Sequence, residues 1–502
     1  MASAAIERFL PDEAATGRLG EDLALALRPG DVLALSGDLG AGKSALARAL
    51  VRANAGAPDL EVPSPTFTLV QTYDGRVPVA HFDLYRLGSP SELDELGLDE
   101  ALAEGVVVIE WPDRAGGRLP ATAISIVLSH EGDGRRAVMS GAGPAFDRVA
   151  RSLAIRDFLG TAGSGEARRV PFPGDASARA YETIHAENQP PRVLMNSPRL
   201  VLGPPVKDAK PYAVIAHTAQ TVAAFVAMAR ALRERGVAAP EVLASDLDRG
   251  FLLLEHLGSG NFLDAEGRPA AERYAAAGAL LATLHGQPWP ERLEVAPGVV
   301  HDVPPFDRDA LMIEVELLLD WYVPWKTGSP ANASLRTAFA DAWNAVFDRL
   351  DRTERGIVLR DYHSPNIVWR PEREGFDRLG ILDFQDAMIG ASAYDVASLA
   401  MDARVTVPEE IERSTVAAYV AARHAAGGFD EEKFREAYAI TAAQRNTKIL
   451  GIFVRLDRRD GKPAYLRHLP RIRAYLSRAL VHPALAPVAE LYARHGLLSE
   501  DE

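Results

Sequence analysis

Gly37-Asp38-Leu39-Gly40-Ala41-Gly42-Lys43-Ser44 constrains this chain more than any other stretch. It follows the apolar run Val32–Ser36 and opens a segment, residues 44–52, whose apolar positions recur at helical spacing. A strand, a glycine-rich turn and a helix in that order make a phosphate-binding P-loop. The glycines let backbone N–H groups turn toward the β- and γ-phosphates of ATP. Lys43 reaches those phosphates, and the Ser44 hydroxyl is suited to ligate Mg²⁺. Gly37, Asp38, Leu39, Gly40, Ala41, Gly42, Lys43 and Ser44 are therefore the candidate nucleotide contacts.

Around this motif, residues 66–70, 77–81, 106–110 and 123–129 read as short buried strands, the pattern of an α/β sheet. Residues 131–146 are polar and carry glycines, and a helix is expected from about Phe146. Three segments bear chemistry. Ser64-Pro65-Thr66 supplies hydroxyls just before a strand. His81-Phe82-Asp83 sets Asp83 at a strand end. Val106–Glu110 is an apolar strand closing on a carboxylate, where P-loop proteins carry a second Mg²⁺-directed acid. Taken alone, each acid is equally well a solvated strand end.

Together these motifs resemble the TsaE family, ATPases of the threonylcarbamoyladenosine modification of tRNA. GDLGAGKS, SPTFTLV, HFDLYR and VIEWP carry the resemblance, across about residues 5–140. It implies a P-loop α/β fold with Mg²⁺-ATP, working beside TsaB-like and TsaD-like proteins on adenosine 37 of tRNA. Carried over, Lys43 binds phosphate, and Ser44 and Glu110 hold Mg²⁺. Thr66 lies in a switch-like segment, Asp83 orients the attacking water, and Trp111 flanks the adenine or packs in the core. The net charge of −14 excludes a chain-wide electrostatic trap for nucleic acid, so tRNA is reached indirectly through partners.

The second half has a different texture. Gly160 to Gly165 reads as a flexible stretch, and the domain boundary is set near 148, giving 1–148 and 149–502. A strand-rich start is followed by alanine- and leucine-rich amphipathic segments at about 217–236, 272–287, 307–324 and 330–352. Strand-like runs return at 356–359 and 379–382. The expected fold is an α/β P-loop NTPase domain followed by a two-lobed, protein-kinase-like α+β domain.

Leu359-Arg360-Asp361-Tyr362-His363-Ser364-Pro365-Asn366 fits a phosphotransferase catalytic loop. Asp361 takes the proton of the attacking hydroxyl, Asn366 ligates Mg²⁺, and Asp383, closing Ile381-Leu382, is the second metal carboxylate. Asp395 reads as a structural brace. In the smaller lobe, Ser177 within residues 174–181 belongs to a turn covering the phosphates, or to any hairpin loop. The strand Phe251–Glu255 leads to a hinge where the backbone at Glu255 meets adenine.

These segments resemble the aminoglycoside phosphotransferase-like superfamily, and within it the anomeric N-acetylmuramate/N-acetylglucosamine kinases. GDASARAY, VLMNSP, GFLLLEHLG, VLRDYHSPNIVW and ILDFQDA carry the resemblance, across about residues 150–495. It implies ATP-dependent phosphorylation of the C1 hydroxyl of an amino sugar in cell-wall recycling. Leu359 stands where the superfamily carries histidine, and Val193-Leu194-Met195-Asn196 lacks the nucleotide-binding lysine. Trp321, Tyr322 and Trp325 either stack on a sugar or pack in the core. Gln444, Arg445 and Lys448 either meet a substrate carboxylate or form a surface salt-bridge face. Glu314, Glu316 and Asp320 leave open a polycationic aminoglycoside as substrate, or are one face of an amphipathic helix. The first half as a regulatory ATP-binding module also stays open.

The chain has no cysteine, which excludes disulfides, zinc thiolates and thiol catalysis. It has no apolar run long enough to span a membrane and no secretory pattern at residue 1, so the cytoplasm is expected.

Overall fold

The computed structural model describes residues 4–172 and 179–499. The chain divides into two compact units, Met1–Met195 and Asn196–Glu502.

The first unit is built on a seven-stranded sheet of order β1-β7-β6-β2-β5-β4-β3. Its strands are β1 (Ala4–Leu10), β2 (Val32–Ser36), β3 (Val70–Tyr73), β4 (Val79–Asp83), β5 (Val106–Glu110), β6 (Ile124–Glu131) and β7 (Gly134–Gly141). β2 lies between β5 and β6 and runs parallel to both. β4 runs parallel to β5, with Asp83 opposite Glu110. β5 reads as an unbroken apolar run because both its faces are covered, and Val106 to Ile109 are all buried. Each such side chain contributes roughly 1.5–3 kcal/mol. β6 instead alternates, with Ile124, Ile126 and Leu128 inward and Val127 exposed.

Two expectations change here. Thr66 does not begin a strand: residues 66–69 form turns, Leu69 takes a left-handed φ of 66°, and β3 starts at Val70. The polar stretch after residue 131 is not irregular either. Gly132, at φ 58°, turns the chain into a hairpin, and β7 pairs with β6 from Gly134 opposite Glu131. Of its residues Gly134, Ala137 and Met139 are buried and Arg136 is exposed, so the buried signal is thin.

Helix α1 (Glu13–Ala26) is capped by Asp12, whose carboxylate accepts from the Ala15 N–H at 2.7 Å. It packs on α2 (Lys43–Ala55), the helix opened by the P-loop. The approach is close at Gly20, where a Cβ would come within 2.5 Å of Ala49 Cβ. Short helices α3 (Glu92–Glu95) and α4 (Leu98–Glu104) lead to β5. Helix α5 (Pro144–Thr161) starts two residues before Phe146 and is followed by strands β8 (Arg168–Pro171) and β9 (Ala180–His185). The link from α5 to β8, expected to be flexible, is pinned. The Arg156 guanidinium donates to the carbonyls of Gly165 (3.0 Å) and Ala167 (2.6 Å), and the Ser164 N–H donates to Leu159 O at 2.7 Å.

The second unit is mainly helical. The expected helices appear as Ala223–Glu234, Ala271–His285, Arg308–Val315 and Ala333–Leu350, the last capped by Asn332. The third is shorter than its pattern and passes into a wider turn, Leu318–Tyr322. Two strand pairs frame residues 359–366: Arg355–Val358 with Met388–Ala391, and Ile367–Trp369 with Leu379–Ile381. The helix Glu431–Arg458 carries Gln444, Arg445 and Lys448 at its buried centre. Among the described residues, no helix is long and apolar enough to cross a membrane.

Candidate active sites

In the first unit, β2 ends at the P-loop with its neighbours β5 and β6 on either side. Gly37 has a φ of 138°, and a Cβ there would meet Leu128 O at 2.2 Å. Gly42, at φ 106°, opens α2 with no side-chain cap, which leaves its first N–H groups free for phosphate. Lys43 Nζ donates to the carbonyls of Gly37 (2.7 Å) and Asp38 (2.9 Å). Burial lowers its pKa, with the Glu110 and Asp83 carboxylates pulling the other way.

Ser44 Oγ donates to Glu110 Oε2 at 2.9 Å, so the two expected metal ligands adjoin. Both are oxygen donors, which suits a hard cation such as Mg²⁺. His81 Nε2 holds the other Glu110 oxygen at 2.9 Å. Asp83 Oδ2 accepts from Ser64 Oγ (2.6 Å) and Thr66 Oγ1 (2.9 Å), and its Oδ1 accepts from the Tyr85 N–H at 3.1 Å. These contacts join the switch-like segment to the strand-end acid. Among the described residues, no group of three or more His, Asp or Glu forms a metal cage. The rest of a Mg²⁺ shell would come from phosphate and water.

Trp111, expected to flank the adenine or to pack in the core, is partly buried against the hydrophobic core. Its backbone has a φ of 61°, its ring lies 3.9 Å from Lys43 Nζ, and Tyr85 packs 5.0 Å away. The ammonium attracts the π-face, so the indole sits at the phosphate end of the site. Two residues were missed by sequence reasoning. His81 stands in a quoted motif but was given no role. Arg135 lies against Gly42, whose Cβ would come within 2.9 Å of its Nε, a buried atom with no hydrogen-bond partner among the described residues. A period-two reading of β7 would have turned Arg135 and Arg136 to opposite faces.

In the second unit the three expected residues lie together, Asp361 joined to Asn366 through its main-chain carbonyl. Asn366 Nδ2 donates to Asp361 O at 2.9 Å and to Asp383 Oδ2 at 3.3 Å, and Gln385 Nε2 holds Asp383 Oδ1 at 2.8 Å. Asp383 has a left-handed φ of 57°, as does Arg360 at 71°. Such strain persists only where surrounding contacts fix it. Asp395 supplies part of that fixing: its buried carboxylate accepts from the N–H groups of Leu359 (2.5 Å) and Arg360 (3.0 Å). Burial pushes its pKa up to about 7, against those two donors.

Beneath the loop lies a buried charge cluster. Glu314, fully buried, accepts from Arg360 at 2.5 Å, Lys448 at 2.7 Å and Gln444 at 3.0 Å. Gln444, Arg445 and Lys448 therefore form no surface face, and Lys448 is spent on Glu314. Burial raises the Asp361 pKa, but the cations Lys448 and Arg445 more than offset it and hold the carboxylate ionised. Glu314 is equally unavailable to a polycation. Tyr322 is fully buried against Trp325, with ring centroids 5.7 Å apart, as core packing requires.

Glu255 ends its strand with Oε2 held by Arg233 and by the Glu241 N–H, both at 3.2 Å, and its own N–H donates to Glu241 O at 2.9 Å. Ser177 lies outside the described residues.

The family model of the threonylcarbamoyl adenosine biosynthesis protein TsaE matches residues 10–138, and that of the phosphotransferase enzyme family matches 168–437. An N-acetylmuramate/N-acetylglucosamine kinase of Caulobacter vibrioides is 35% identical over 355 residues, covering 69% of this chain and 96% of the relative. The kinase of the same name from Pseudomonas aeruginosa is 33% identical over 339 residues, 65% of this chain and 88% of the relative. A tRNA threonylcarbamoyladenosine biosynthesis protein TsaE of Rickettsia bellii is 37% identical over 131 residues, 26% of this chain and 90% of the relative. The chain belongs to the phosphotransferase enzyme family and carries, ahead of that region, a member of the TsaE family. It is a fusion of an ATPase with a kinase.

Proposed function

We propose that the kinase half transfers the γ-phosphoryl of Mg²⁺-ATP to the C1 hydroxyl of N-acetylmuramate and N-acetylglucosamine, in cell-wall recycling. The ATPase half supports threonylcarbamoyladenosine formation on tRNA, beside TsaB-like and TsaD-like partners. Both activities belong to the cytoplasm, and the boundary between the halves falls near residue 148. The convergence of Asp361, Asn366 and Asp383 carries the kinase reading. Asn366 and Asp383 hold Mg²⁺ on the phosphates. Asp361 takes the C1 hydroxyl proton as that oxygen bonds phosphorus and ADP leaves. An anomeric hydroxyl is the most acidic of a sugar, so one carboxylate base suffices at neutral pH. In the ATPase half, Ser44 and Glu110 hold Mg²⁺ and Asp83 orients water.

The names of the kinase relatives supply the sugar, and the buried Glu314 weighs against an aminoglycoside, which needs free acids. The test is incubation of the full chain with Mg²⁺-ATP and a panel of amino sugars, with ³¹P NMR and a reducing-end assay on the product. A sugar 1-phosphate no longer reduces copper. A product that stays fully reducing ends the anomeric assignment. ATP hydrolysis with and without TsaB-like and TsaD-like proteins tests the other half. An unchanged, negligible rate in their presence overturns it.

A further inference from the structure

The pinned link between α5 and β8 belongs to a larger buried network. Arg169, on β8, forks onto Glu182 of β9 at 2.7 and 2.8 Å and reaches Asp22 of α1 at 2.7 Å. It also donates to Ser152 O at 3.0 Å and to Ser152 Oγ at 3.1 Å, while its own N–H donates to Glu21 at 3.1 Å. Arg156 of α5 donates to Asp22 at 2.8 Å and to Glu21 at 2.6 Å. Asp22 is 2% exposed, Arg169 3%, Ser152 5% and Glu182 8%.

Charges this deep are retained only when every partner is present, and removing one leaves the others buried without an anion. The geography of the partners gives the network its meaning. Asp22 lies in the region matched by the TsaE family, whereas Arg169 and Glu182 lie in the region matched by the phosphotransferase family. Gly20, two residues before Asp22, packs tightly on α2, the helix that starts at Lys43.

We propose that Asp22 of the ATPase half is a positioning residue for the kinase half: it braces strands β8 and β9, and it ties them through α1 and α2 to the P-loop. The two halves are then coupled, so emptying the P-loop site changes how the kinase handles ATP. The strands border in sequence the segment of Ser177, read above as a turn covering the phosphates or a hairpin loop, and on the first of these readings the effect falls on the KM for ATP rather than on kcat. This rests on the kinase reading given above for its kinetic arm only.

The full chain is compared with Asp22→Asn, Asp22→Glu and Ser152→Ala by amide hydrogen exchange and by sugar-kinase kinetics. Asp157→Asn, which breaks only the pair between Arg8 of β1 and the exposed Asp157 of α5, serves as the control. In Asp22→Asn, protection of the β8 and β9 amides falls by about 10²-fold and the KM for ATP rises about tenfold. Ser152→Ala, which leaves every charge in place, moves both readouts the same way by less and covers the case in which Asp22→Asn does not fold. Asp22→Glu restores part of the loss.

Lys43→Ala shifts the KM for ATP about threefold in the wild-type background and not in Asp22→Asn, as coupled sites require. Unchanged β8 and β9 protection in folded Asp22→Asn overturns the brace. Equal Lys43→Ala effects in both backgrounds overturn the coupling. If the wild type phosphorylates no amino sugar while the exchange result holds, the kinase reading fails and the brace stands.

Discussion

In the first unit the proposed phosphate contacts come from eight consecutive residues, Gly37 to Ser44. In the second unit the proposed base, amide and second acid are Asp361, Asn366 and Asp383; Asp395 and Glu314, from elsewhere in the chain, hold Leu359 and Arg360 beside Asp361, and Gln385 holds Asp383. A P-loop is a local object: its geometry follows from glycine conformations and a helix N-terminus. The phosphotransferase loop is a supported object, with left-handed Arg360 and Asp383 kept in place by distant carboxylates and a glutamine. Damage to the first should therefore leave the fold intact and reach the kinase only as the modest change in KM for ATP that the Asp22 brace transmits, whereas damage to the second should spread into the fold.

The largest effect expected is chemical. Asp361→Asn removes the proton acceptor and should lower kinase kcat by about 10²–10⁴-fold. ATP hydrolysis by the first unit should persist, because the substitution leaves the Asp22 network intact. Loss of both activities from folded protein would break the comparison at its base.

Glu314→Gln tests the supported site. Arg360 and Lys448 would be left without their shared anion, at a cost of about 3–5 kcal/mol. Urea unfolding followed by fluorescence should show the loss, together with reduced kinase activity. A variant as stable as the wild type would show that the cluster does not hold the loop.

Glu110→Gln tests the local site. The amide cannot neutralise metal charge, so ATP hydrolysis should fall by about 10²-fold with a raised Mg²⁺ requirement. Thermal unfolding should barely move, since Ser44 and His81 keep hydrogen-bonding partners. A drop in stability as large as that of Glu314→Gln would erase the contrast between the two sites.

The same contrast decided what could be read from the chain. GDLGAGKS, Glu110, Asp361, Asn366 and Asp383 were legible because each sits at a fixed offset from an apolar strand. The Glu314–Arg360–Lys448 cluster was not, because Lys448 and Gln444 at helical spacing look the same on a surface helix as at a buried helix centre. β7 was missed because Arg135 and Arg136 dilute its alternation. The rigid link at residues 162–167 was missed for a related reason: its order comes from Arg156, a side chain outside the link, while its own glycines signal freedom.

The smallest expected effect carries the sharpest sign. Trp111 stacks on the Lys43 ammonium, which itself rests on the Gly37 and Asp38 carbonyls. A cation–π contact of this kind is worth about 1 kcal/mol, which is about a fivefold change in an equilibrium constant. If the ring stabilises Lys43 in this folded-back arrangement, Trp111→Ala frees the ammonium to reach phosphate, and ATP should bind the P-loop about fivefold tighter. If the ring instead stacks on adenine when nucleotide is bound, the same substitution weakens ATP. Titration of a fluorescent ATP analogue into the Asp361→Asn background, with Lys43→Ala as the blank for the second site, reads the sign directly. Weaker binding would return Trp111 to the adenine and remove it from the phosphate end.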